Sequence, residues 1–279
     1  MIADRYELVR EIGTGGMGAV FEAFDLRLER PVALKFLDPS LVKNEEHVIR
    51  FHREALAAGR IGHPNICDVR DRGVSAEGLH FIAMELLEGC TFYEVIKKEG
   101  PLSPQRVVPI VLEVLSALAA AHKVGIVHRD LKPENIFLVR ANGGQEQVKL
   151  LDFGVSRFLD DATSLRLTKS GKVLGTPLYV SPEQALAEKD IDHRSDLWGV
   201  GVLLYEALTS QAPFKARNTG QMLIMIIKKE VTPPSEYIPW ISESLEAVIL
   251  KALKKSREER YQSAELFAAD LERAFQETA

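Results

Sequence analysis

The sequence predicts an α+β chain of two lobes: a small strand-rich one over residues 1–87 with one main helix, and a larger helical one over 88–279. Short runs of β-branched and aromatic residues crowd the first third. Longer segments with one apolar face fill the rest, and the character changes at Glu88-Gly89, which marks a hinge near residue 87. Apolar residues make up 46% and charged residues 27% of the 279, enough for a substantial globular core.

Residues 6–14 alternate loosely as a first strand, and a glycine cluster follows. Segments 18–25 and 31–37 run apolar with β-branched and aromatic side chains, and 66–73 and 79–87 read as two further strands. Between them, 44–60 is charged and alanine-rich with helical spacing. Past the hinge, Pro104–Lys123 opens on serine and proline and carries a long apolar face, the mark of a helix. Short strands are expected at 135–139 and 148–151, separated by Asn142-Gly143-Gly144. Further helices are expected at Arg194–Thr209, Thr219–Lys228, 242–254 and 263–276.

A net charge of -5 and the lack of a long basic run give no support for nucleic-acid binding. Cys67 and Cys90 have no C-x-x-C spacing, so they read as buried free thiols in a reducing setting rather than a disulfide or zinc framework. The first residues carry no apolar signal segment. The most apolar stretches, 107–121 and 198–208, contain Glu113 and Glu206 and read as buried helices, so no membrane contact is expected within the chain.

Ile12-Gly13-Thr14-Gly15-Gly16-Met17-Gly18-Ala19-Val20 lies between two expected strands. Glycine there accepts positive φ and lets backbone N–H groups approach a phosphate. Alone, such a run serves a dinucleotide-binding turn or a plain hairpin; the strand that follows argues against the first. Lys35, in Val32-Ala33-Leu34-Lys35, is by itself an ordinary strand lysine. Glu54 on the expected helix carries a carboxylate able to reach it, and such a pair holds an ammonium toward the α- and β-phosphates of a nucleotide.

Two strings follow in order: His128-Arg129-Asp130-Leu131-Lys132-Pro133-Glu134-Asn135 and Leu151-Asp152-Phe153-Gly154. With the glycine loop and Lys35 they match the protein-kinase signature set in spacing. Gly15-Gly16-Met17-Gly18, Ser181-Pro182-Glu183-Gln184 and Arg260-Tyr261-Gln262-Ser263-Ala264 complete the pattern. Over residues 6–275 the chain resembles the catalytic domains of bacterial Hanks-type (eukaryotic-like) serine/threonine protein kinases.

That resemblance implies a bilobal protein-kinase fold and transfer of the γ-phosphate of ATP, with Mg2+ or Mn2+, to serine or threonine hydroxyls of proteins. Asp130 would orient the acceptor hydroxyl and take its proton, and Lys132 would neutralise charge on the moving phosphoryl group. Lys35 and Glu54 would form the ion pair, while Asn135 and Asp152 would hold the metal. Ile12, Gly13, Gly15, Gly16 and Gly18 would cover the nucleotide. Adenine would sit under Val20 and Ala33 and above Phe137, with backbone bonds from Glu85 and Leu87 and Met84 as gatekeeper. Phe137 departs from the aliphatic residue usual in relatives and implies a tighter or shifted floor. Ala58 departs from a larger apolar residue that packs on Phe153.

By the same resemblance Thr176 would bond near Asp130 and Lys132, Glu183 would pair with Arg260, and Asp196 would brace the catalytic loop. Arg129 would grip a phosphate on the segment after Asp152, with Thr168 and Ser170 aligned to the autophosphorylated positions and Thr168 favoured. Glu134 would favour a basic residue near the acceptor or serve as a solvated loop carboxylate. Lys228, Lys229, Lys251, Lys254, Lys255 and Arg257 read as solvated helix faces. Relatives place such a domain in the cytoplasm, often within a longer membrane-anchored protein, and some dimerise transiently through the first lobe. A pseudokinase scaffold is the competing reading; it would be expected to lose Lys35, Asp130, Asn135 or Asp152, and all four are retained.

Overall fold

Alternation in the first third builds a five-stranded antiparallel sheet. A computed structural model describes residues 1–15, 18–140, 146–153 and 178–277. Its strands β1 (Tyr6–Gly15), β2 (Gly18–Asp25), β3 (Arg30–Phe36), β4 (Val69–Val74) and β5 (His80–Glu85) run in the order β1-β2-β3-β5-β4. Because side chains alternate along a strand, Val32, Leu34 and Phe36 turn to one face and pack with Tyr6, Ala23 and Phe81. Ala33 and Lys35 are left for the other face, in register with Met84 and Ile82 of β5.

Helix α1 (Glu45–Ile61) lies against that second side. Asn44 caps it by accepting the Glu46 N–H at 3.0 Å, and Glu45 and Glu46 suit the positive end of the helix dipole. It stops at Gly62, which takes the left-handed conformation. Phe51 and Ala55, one turn apart, bury against Leu37 and Ile82, and Glu54 turns inward beside them.

Two elements between the hinge and Pro104 lie outside the sequence reading. β6 (Gly89–Thr91) pairs with β7 (Ile136–Arg140), which pairs with β8 (Glu146–Leu150). α2 (Phe92–Glu99) then opens on a capping box in which Thr91 and Glu94 satisfy each other's backbone N–H. β4 also starts three residues later than the expected 66, because Ile66 and Cys67 are drawn to β8. Ile66 bridges Leu150, and the Cys67 N–H donates to the Leu150 carbonyl at 2.9 Å.

The helical lobe is organised on α3 (Pro104–Lys123) and α5 (Arg194–Thr209). α5 is apolar almost all round and correspondingly buried, Leu197, Trp198 and Leu204 completely. α3 is long and apolar enough to cross a membrane by length and composition, but its Val107, Val111, Val114 and Leu118 are fully enclosed in the core. Each such side chain contributes about 1.5–3 kcal/mol. The short α4 (Pro182–Ala185), then α6 (Thr219–Lys228), α7 (Glu243–Ala252) and α8 (Ala264–Gln276) complete the lobe.

Two surface expectations and one expectation of burial are corrected. Lys255 folds inward over the rings of Phe214 and Trp198, at 4.3 and 5.1 Å, and donates to the Ile226 carbonyl at 2.7 Å in the last turn of α6. The aromatic faces and the negative helix end attract the ammonium, while burial pushes its pKa down to about 8. Arg257 is tied to Glu188 and to the Asp190 carbonyl instead of solvated. Cys67 is buried as expected, whereas Cys90 is only half-buried.

Candidate active site

A cleft of about 990 Å3 lies between the lobes. Its wall includes Ile12, Gly13, Val20 and Ala33 from the sheet, Met84, Glu85 and Leu87 at the hinge, and Phe137 from β7. Gly15 and Gly18 pair with each other at the tip of the β1–β2 hairpin, off that wall. Gly18 has a φ of 146°, and a Cβ there would lie 1.9 Å from the Phe36 carbonyl oxygen, so this position admits only glycine. Gly13 and Gly15 meet no such obstacle among the described residues. Gly16 lies outside the described residues, as do Thr168, Ser170, Thr176 and Gly154.

Lys35 reaches the cleft from β3, and the fold brings it between two carboxylates. Its Nζ donates to Glu54 Oε1 at 2.9 Å and to Asp152 Oδ1 at 2.6 Å. Burial works against the ammonium, yet Asp152 and Glu54 prevail and hold its pKa above the ordinary lysine value. Burial pushes the Glu54 carboxyl up against the pull of Lys35. For Asp152 the ammonium outweighs burial and holds the group below the usual carboxylate range. The pair therefore splits: the carboxylate that opens to the cleft keeps its charge firmly.

The catalytic string forms a loop after α3, held from below by α5. Asp196, 1% exposed, accepts the Arg129 N–H on Oδ1 and the His128 N–H on Oδ2, both at 2.8 Å. His122 Nε2 also lies 2.8 Å from Oδ2. Burial alone would raise this carboxyl; His122 and the loop keep it low. Arg129 can then hold a φ of 64°, in the left-handed region that bulky side chains avoid. The buried His128 packs its ring 4.8 Å from that of Phe153, with its Nε2 3.0 Å from the Leu151 carbonyl oxygen.

Beyond that brace the loop closes on itself. Lys132 Nζ donates to Asp130 Oδ2 at 2.9 Å, and the Asn135 amide donates to the Asp130 carbonyl at 2.8 Å. That bond leaves the amide oxygen of Asn135 as an acceptor beside Asp130. The Leu151 N–H donates to the Asn135 carbonyl at 2.8 Å, which fixes Asp152 relative to Asn135. Asp152 and Asn135 are hard oxygen donors, suited to a magnesium ion that arrives with phosphates. Among the described residues no cluster of three or more His, Cys, Asp or Glu side chains could hold an ion by itself.

Arg129 is half-buried, and its Nε has no partner among the described residues; burial lowers its pKa. Glu183 and Arg260 form two bonds of 2.8 and 2.7 Å in the core. Ala58 is partly buried beside the cluster that contains Phe153. Glu134 stays exposed. Two contacts escaped the sequence reading. Gln184 donates to the Arg129 carbonyl at 2.9 Å, and the Tyr179 hydroxyl donates to Glu206. The capping-box pattern Ser181-Pro182-Glu183-Gln184 signals the α4 turn that carries the first; nothing local signals the second.

The chain belongs to the protein kinase domain family, whose pattern it matches over residues 6–271, and within it to the bacterial serine/threonine type. Serine/threonine-protein kinase pkn3 of Myxococcus xanthus is 44% identical over 274 residues, 97% of this chain and 50% of that protein. Serine/threonine-protein kinase PknB of Mycobacterium leprae is 41% identical over 273 residues, 97% of this chain and 43% of that protein. The chain thus spans about half the length of the curated relatives it matches. A crystal structure of the Mycobacterium tuberculosis PknI kinase domain superposes with a TM-score of 0.77 at 27% identity, covering 98% of this chain and 96% of that one. Family membership implies ATP, a divalent cation and a protein acceptor.

Proposed function

We propose that the chain transfers the γ-phosphate of ATP to serine or threonine hydroxyls of proteins, with Mg2+ as its cation. The observation that carries this reading is the Glu54–Lys35–Asp152 contact, joined through Leu151 and Asn135 to the Asp130–Lys132 pair. Lys35 holds the α- and β-phosphates, with Glu54 fixing its ammonium. Asp130 orients the acceptor hydroxyl and takes its proton as the new P–O bond forms. Lys132, already on Asp130, neutralises negative charge on the phosphoryl group in flight. Asn135 and Asp152 would hold Mg2+, which would neutralise phosphate charge when bound. Positioning and charge stabilisation supply most of the rate in such chemistry. Adenine sits between Val20 and Ala33 above and Phe137 below, bonded to the backbone at Glu85 and Leu87.

Arg129 serves as the docking point for a phosphate on Thr168 or Ser170, since a half-buried guanidinium whose Nε has no partner among the described residues pairs strongly with phosphate oxygens. The domain works in the cytoplasm and meets a second copy transiently when it modifies itself. Radiolabelled ATP with Mg2+ tests the enzyme directly: self-labelling in the unmutated chain and none in Asp130→Asn supports it. No labelling in either, on itself or on a generic protein acceptor, favours a scaffold instead. Full activity in a Thr168→Ala, Ser170→Ala double variant removes the regulatory assignment.

A further inference from the structure

Glu85 ends β5 at the hinge, and its carboxylate is the meeting point of three chain segments. Its own N–H donates to the Asp68 carbonyl at 3.0 Å, and the Asp68 N–H returns to Glu85 Oε1 at 2.8 Å. The same Oε1 accepts from Lys149 Nζ at 2.7 Å. Lys149 stands on β8 directly opposite Phe137 on β7, so the two side chains share one face of that small sheet. One carboxylate thus links the hinge, the loop that enters β4 and the strand pair carrying the cleft floor. The lysine and glutamate side chains are 14% and 18% exposed, which shields the pair from the screening that weakens surface ion pairs.

We infer that Lys149 is a positioning residue for nucleotide binding, which sets the height of the hinge backbone above the Phe137 floor. The inference rests on the ATP reading given above. Backbone ties already join β8 to the loop at 65–67, where Leu150 bonds Asn65 and Cys67 at 2.8 and 2.9 Å. Backbone bonds also flank the hinge, the Glu85 N–H to the Asp68 carbonyl on one side and the Arg140 N–H to the Glu88 carbonyl at 3.1 Å on the other, while the Lys149 ammonium ties β8 to the end of β5 directly. A flat base held between floor and roof while bonding to the hinge edge requires both surfaces at a fixed offset. A charge-assisted hydrogen bond of this kind is worth about ten- to a hundredfold in an equilibrium constant. Its removal lets the hinge and floor slide, at the expense of the ligand that needs them in register.

Calorimetric binding of MgATP to the purified chain, with steady-state kinetics alongside, tests the assignment. Lys149→Met is expected to weaken MgATP about tenfold and to raise KM for ATP by a similar factor, with kcat at saturating ATP within about twofold. Lys149→Arg should recover most of the affinity, and Glu85→Gln should add little on top of Lys149→Met because both act on the one Lys149–Glu85 contact, the glutamine by removing its charge and keeping its acceptor. Glu85→Gln alone gives the same reading should Lys149→Met lose its fold. Equal affinity in Lys149→Met and the unmutated chain overturns the clamp, as does a loss confined to kcat. Failure of the unmutated chain to bind MgATP overturns the ATP reading, and this inference with it.

Discussion

Asp196→Asn exchanges one carboxylate oxygen for an NH2 group at a point where three donors converge. Oδ1 faces the Arg129 N–H, and Oδ2 faces the His128 N–H and His122 Nε2, each at 2.8 Å. An amide satisfies one side and turns a donor toward the other. A buried backbone N–H left without an acceptor costs about 1–3 kcal/mol. The Arg129 φ of 64° stores a further ~1–2 kcal/mol that the loop releases once it is let go. Both terms favour a loop that moves, and Asp130 moves with it. A displacement of about 1 Å in a reacting group costs on the order of 100-fold in rate. The expected result is a kcat about 100-fold lower for transfer to a protein acceptor, with MgATP affinity changed by less than about threefold. Steady-state kinetics, calorimetry and a thermal melt on the same sample read all three quantities. A kcat within about threefold of the unmutated chain, at an unchanged melting temperature, would refute the account of the brace.

Arg260→Met should lower the melting temperature by about 10 °C, since it strands the buried Glu183 carboxylate at a cost of about 3–5 kcal/mol. Glu183→Gln should cost less, because Arg260 keeps the carbonyls of Lys254 and Lys255 at 2.8 and 2.9 Å; equal losses would contradict this. His52 Nε2 lies 2.9 Å from His80 Nδ1, and burial, then His80 and Arg72, hold His52 below its ordinary value of 6.5. Below 6.5 the unfolded chain therefore binds more protons than the folded one, so this contribution is complete above 6.5 and is lost as pH falls through the lower folded value. Thermal melts between about pH 7.5 and 5 should show a smaller acid loss in His52→Gln than in the unmutated chain. Phe137→Leu removes an aromatic face from the cleft floor and should weaken MgATP by about threefold or more; unchanged affinity would remove Phe137 from the site. Ala58→Leu should fill space beside Phe153, steady α1 and raise basal activity, and equal activity would show that the packing does not limit it.

The two lobes were legible because strand and helix periods differ and one of them predominates in each lobe, strands before the hinge and helices after it. The candidate site was legible because its residues come in short strings of fixed spacing: Lys35, Asp130, Asn135 and Asp152 each stand inside a recognisable motif. What escaped was local structure too short to show a period and contacts made across long separations. α2 carries apolar residues at Phe92, Val95 and Ile96 and a Thr91/Glu94 capping box, a signal that was present but spans only eight residues. Lys255 reads as a solvated end from its neighbours, yet its surroundings are Trp198 and Phe214, dozens of positions away. Lys149 sits between apolar residues on a strand and looks like any outward lysine until Glu85 is seen beside it. Charge pairs of this kind have no periodicity to betray them.

The tight fit at Gly18 separates two properties that a glycine loop usually confounds. A side chain at Gly18 collides with the Phe36 backbone and unseats β2 from the end of β3, whatever the ligand does. At Gly13 and Gly15 a Cβ would meet nothing within 4 Å among the described residues, so a methyl group leaves the strands in place and a loss points to the nucleotide side. A glycine-to-alanine series across the loop is therefore a sorting device: melting temperature should respond at position 18, MgATP affinity at 13 and 15. Inactivity caused by Gly18→Ala would be a folding lesion and would say nothing about phosphate contact.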